Sequence, residues 1–198
     1  MSATPEPAPF PAPFAAAVEA IRGVELREAL TVTEIPAPTG LAPYAYALAA
    51  DVHGAPHGVD SPLGTGRFVL LYDPEEPEPW GGPFRIVCFA QAPLETEIGI
   101  DPFLADVAWS WLVDALDARD ARYTAASGTA TKVISTGYGE LASQGDGAQL
   151  ELRASWSPLD AQAASHVEGW GELLCMLSGM PPIGEGVSLL SAHRITRD

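Results

Sequence analysis

Four strand-like segments, LTVTEI, YAYALAADV, RFVLLYD and FRIVCFAQ, follow one another between residues 30 and 91, separated by short breaks rich in glycine and proline. Parallel neighbours need a long, usually helical crossover, so strands joined this way pair antiparallel. In the second segment Tyr44, Tyr46, Leu48, Ala50 and Val52 alternate with Ala45, Ala47, Ala49, Asp51 and His53, the period of a strand with two unlike faces. The third and fourth carry near-continuous apolar runs, FVLLY and IVCFA, which predict burial on both faces. Between them PEEPEPWGGP is acidic and proline-rich and reads as a surface loop.

Helical periodicity brackets and interrupts this run. FAAAVEAIRG from Phe14 reads as a short helix with Gly23 past its end. Asp101 to Arg119 carries Asp106, Ser110, Asp114 and Asp117 on one face, and Leu104, Val107, Ala108, Trp111, Leu112 and Ala115 on the other. TATKVISTGYG and AQLELRASW then add two strands, the second with Leu150, Leu152, Ala154 and Trp156 inward, and GELASQGDG supplies the turn between them. A last helix, about 163 to 178, buries Val167, Trp170, Gly171, Leu174 and Leu177. The order α-ββββ-α-ββ-α implies a two-layer α+β domain: one mostly antiparallel sheet of about six strands, with helices mainly on one face. Residues 14–198 read as a single domain, and residues 1–13, MSATPEPAPFPAP, as a disordered proline-rich tail.

Charge narrows the function. The formal net charge is −16, and the ten basic residues are scattered from Arg22 to Arg197. Such a field repels phosphate, so nucleic acid and anionic lipid are excluded as direct partners. The apolar runs fall short of a membrane helix, and no secretory signal is evident, so a cytoplasmic protein is expected. Cys88 and Cys175 sit in apolar surroundings without a CxxC partner and read as buried thiols.

The densest acidic stretch is ETEIGIDP, with Glu95, Glu97 and Asp101. Alternation would send both glutamates to solvent from a strand-like approach. Asp101 before Pro102 carries the signature of a helix N-cap with proline at the first helical position, so the stretch reads as a hinge and not a metal site. His53 and His57 are four apart, but the glycine and proline between them forbid the helical spacing that suits zinc, and His193 has no carboxylate nearby. His166 falls at the edge of the apolar side of the last helix and reads as a packed histidine. No GxSxG, GxGxxG, P-loop or HExxH occurs. No catalytic residue, metal site or cofactor is therefore assigned.

Two groups of residues remain as candidates. Trp109, Val113 and Leu116 widen the apolar arc of the central helix beyond what one sheet layer needs. Covering them takes another helix of the chain or another molecule, most simply a two-fold homodimer. Trp111, Trp156 and Trp170, with His166, would line a pocket between sheet and helices if the protein binds a small molecule.

Three segments, DVAWSWLVDAL, ELRASWSPLD and SHVEGWGELLCMLSGMPPIGEGV, resemble the DUF3000 family of uncharacterised actinobacterial proteins, over roughly Phe14 to Val187. The resemblance transfers no catalytic residue. It implies at most a functional association with a ribonuclease-D-like exonuclease, whose gene often lies close by in such genomes. The lysine-poor composition, with Lys132 alone, agrees with an actinobacterial origin. The element order is also similar to that of small acidic secretion-chaperone-like folds. The expectation is a non-enzymatic protein-interaction or chaperone-like module with an acidic surface; the alternative is a small-molecule-binding protein or enzyme using the tryptophan pocket.

Overall fold

The computed structural model describes residues 10–53 and 63–182. In chain order the elements are α1 (Ala12–Arg22), β1 (Leu30–Ile35), β2 (Tyr44–Val52), β3 (Gly64–Tyr72), β4 (Phe84–Leu94), α2 (Thr96–Gly99), α3 (Leu104–Asp117), β5 (Tyr123–Thr136), a 3₁₀ turn over Gly139–Gln144, β6 (Asp146–Pro158) and α4 (Ala163–Leu177). The strands form one sheet in the order β1-β2-β3-β4-β6-β5, with every pairing antiparallel. This is the α+β architecture that the strand run and its short breaks imply.

Register explains the core. Leu48 stands opposite Phe68, Phe68 opposite Cys88, and Cys88 opposite Ala154, so one row of inward positions crosses four strands. Side chains of one parity therefore gather on a single face. The helices cover that face: α4 lies across β2, β3 and β4, α1 packs on α4, and α3 packs on α4 and β5. Phe14 of α1 joins Tyr44, Tyr72 and Phe84 in an aromatic row at one end, with ring centroids 4.8–6.1 Å apart between neighbours.

Three expectations need correction. β3 and β4 are not buried on both faces: Val69 is half-buried and Val87 exposed, because no helix among the described residues covers the far face of the sheet. The first helix opens at Ala12, not Phe14. Pro11 stands at its N-cap, where a missing N–H costs nothing, and Phe10 packs edge-on against Phe14 at 5.0 Å. β5 begins at Tyr123, well before the expected TATKVISTGYG, and is exposed along nearly its whole length.

No helix among the described residues is long and apolar enough to cross a membrane.

Candidate functional site

The acidic stretch is a corner with a helical turn in it. β4 ends at Leu94, and α2 takes up Thr96–Gly99 as a single turn, in place of the strand-like approach expected there. Asp101 is not the N-cap of α3, which opens at Leu104 with Phe103 before it. Its Oδ1 instead accepts the Phe103 N–H at 2.8 Å, closing a turn over Pro102 that leads into the helix. Glu95, Glu97 and Asp101 are all exposed, and no group of three His, Cys, Asp or Glu among the described residues is arranged to hold a metal ion.

The four proposed pocket residues do not line one cavity. Trp156, Trp170 and His166 are sealed in the layer between sheet and helices, which is packed solid there. The Trp156 indole N–H donates to His166 Nδ1 at 3.0 Å, and Trp170 donates to the Phe89 carbonyl at 3.3 Å. Burial pushes His166 down to about 4, so it stays neutral and accepts the indole proton. Its Nε2 is buried without a hydrogen-bond partner. Trp111 lies elsewhere, on an open cleft of about 680 Å³ at the outer surface of the α3–α4 pair, beside Arg119, Glu172, Met176 and Met180.

The proposed contact face on α3 is mostly used within the chain. Leu116 is buried against α4, where a Cβ on Gly169 would come within 2.8 Å of its Cδ2. Trp109 lies over β5, where a Cβ on Gly128 would stand 2.6 Å from its ring. Val113 is half-buried. The apolar arc is wide because α3 sits in a corner and packs in two directions, on α4 and on the outer strand. Gly128 and Gly169 permit both close approaches.

The exposed apolar surface lies one turn away. Ile98, Ile100, Phe103 and Val107 are 39% to 68% exposed around the α2–α3 corner, and the Lys132 ammonium of β5 donates to the Asp101 carbonyl beside them at 2.7 Å. Residues 10–188, nearly the whole chain, match the family described as protein of unknown function, DUF3000. The chain belongs to the DUF3000 family. No curated protein and no solved structure matches it. DUF3000 membership brings no activity with it, so roles must come from the geometry alone.

In this DUF3000 chain one buried cluster had no sequence signal. Glu172 of α4 is buried between two arginines, with Arg27 Nη1 3.2 Å from Oε1 and Arg119 Nη2 3.1 Å from Oε2. Arg27 also donates to the Pro181 carbonyl, and Arg119 to that of Ala115. These bonds tie the segment after α1, the end of α3 and the chain beyond α4 to one carboxylate. The thiols carry no chemistry: Cys88 is buried and pushed up to about 12, and burial raises Cys175 as well. His53 is exposed, and its companion His57 lies outside the described residues, as does His193. On the far face of the sheet Arg85 is held by Ser155, Ser157 and the Ala125 carbonyl, while Arg153 pairs with Glu151 and lies over the Phe89 ring.

Proposed function

We propose that the protein is a cytoplasmic, non-catalytic protein-interaction module whose contact surface is the α2–α3 corner. The observation that carries this reading is the cluster Ile98, Ile100, Phe103 and Val107, large apolar side chains left open to solvent within ten positions of a strongly acidic chain. Exposed apolar side chains gathered in one place mark contact sites far more often than catalytic ones. Among the described residues, His166 is sealed in the core and Glu172 is held by Arg27 and Arg119, so neither is offered to a substrate. The acidic remainder of the surface keeps the module soluble and turns nucleic acid away.

A photoreactive phenylalanine analogue placed at Phe103 tests this in living cells. It should yield a discrete adduct that disappears with Ile100→Glu and is absent when the probe stands at exposed Glu75. An adduct pattern shared by both positions, or none at Phe103, contradicts the reading. The adduct's identity also shows whether the association with a ribonuclease-D-like exonuclease is direct.

A further inference from the structure

The two edges of the sheet are built differently. β1 is six residues long, Pro36 and Pro38 follow it, and its Glu34 is held by Arg22 and Tyr46. Short length, proline and charge are the ordinary protections of a strand edge. β5, at the other end, is a fourteen-residue strand without proline, and among the described residues nothing pairs with its outer side. The bulge between Thr124 and Ser127 protects its first turn, leaving Ser127–Thr136 in unbroken register with β6. Val133 and Ile134 are 44% and 48% exposed there, on opposite faces.

Charge says what can land on this edge. From Ala121 to Gly139 the chain holds no aspartate or glutamate, the longest such stretch in a protein of net charge −16. Its two charged residues, Arg122 and Lys132, are both positive, so a basic partner would be drawn to the acidic loops and turned away from this strip. Another acidic body, by contrast, can approach only where the acids are missing. An antiparallel edge also complements its own copy about a two-fold axis.

We propose that a second copy of this chain pairs antiparallel with β5, joining two six-stranded sheets into one continuous sheet across a two-fold axis. This deepens the interaction reading above and rests on it, by naming the occupant. Side chains favour an axis at Val133 over one at its charged neighbour Lys132. An axis through Val133 sets the two Val133 side chains opposite each other, places Thr131 beside the partner's Ser135, and puts Lys132 beside the partner's Ile134. An axis through Lys132 would instead oppose two ammonium groups, which is destabilising. On the helix side the partner's strand then runs past the α2–α3 corner, next to the Lys132–Asp101 contact.

Light scattering of the full chain should give a particle of twice the 20.8 kDa chain mass at high concentration. Val133→Lys, which places like charges on the axis at a solvent-exposed position, should give a folded particle of single-chain mass. Val133→Cys should form an intermolecular disulfide under mild oxidation, whereas Thr31→Cys on the β1 edge should not. A wild type that stays at single-chain mass overturns the proposal, as does a dimer that Val133→Lys leaves intact. A monomeric wild type with the Phe103 adduct retained in cells would remove the second copy while keeping the interaction reading. A dimer that responds at position 133, without any Phe103 adduct, would support the edge and remove the corner.

Discussion

Replacing the buried Glu172 with alanine should destabilise the protein strongly. The carboxylate bridges Arg27 and Arg119, and its removal leaves two guanidinium groups beside apolar neighbours. Breaking a buried pair from one side costs about 3–5 kcal/mol, because the remaining charge loses its partner without regaining full hydration. The arginine side chains keep 23% and 18% exposure, so water recovers part of the loss and the lower end, about 3 kcal/mol, is expected. Denaturant unfolding should show a lower midpoint with an unchanged slope. Replacing all three residues together, Arg27→Met, Arg119→Met and Glu172→Leu, should restore most of the stability, because both guanidinium charges leave with the carboxylate. A loss of only a few tenths of a kcal/mol in Glu172→Ala would show that solvent already carries these charges.

Acid should weaken the fold through His166. Its folded value, about 4, lies below its ordinary 6.5, because the imidazole is buried and its Nδ1 accepts the Trp156 indole proton. Between those values the unfolded chain binds the proton and the folded one does not. The contribution is therefore fully present above about pH 6.5 and is lost as pH falls toward about 4. A shift of this size corresponds to about 3 kcal/mol. His166→Asn puts an amide oxygen near the Nδ1 position and cannot titrate. It should start from a lower stability, and the difference between wild type and variant should shrink across this pH window. Parallel pH profiles for the two proteins would show that His166 is not neutral in the folded state.

These two clusters mark where sequence reasoning stopped. Trp156 and His166 were legible as inward-facing, because strand and helix periods point them at the core. Whether inward side chains line a pocket or fill a layer depends on how closely α4 approaches the sheet. Gly66, over which Leu174 packs, lets it come close enough to leave no pocket there. Glu172 gave no signal, since Arg27 lies 145 positions away and only the tertiary fold brings them together.

Strands with one buried face announced themselves by alternation. The first half of β5 did not, being exposed on both faces and so free of any hydrophobic period. The wide apolar arc of α3 asks for extra cover, and the same chain supplies it to Trp109 at Gly128 of β5 and to Leu116 at Gly169 of α4. Asp101 was legible as a backbone-binding carboxylate. Its place in a turn before the helix was not, because aspartate followed by proline opens both structures.

The central claim is that the outer edge of β5 and the corner beside it form the contact surface of this protein. Hydrogen exchange of the purified full chain, measured at two concentrations a hundredfold apart, addresses it directly. The account predicts that amides of residues 127–136 exchange more slowly in the concentrated sample, with residues 98–107 following and β1 unchanged. Equal exchange of residues 127–136 at both concentrations would contradict it.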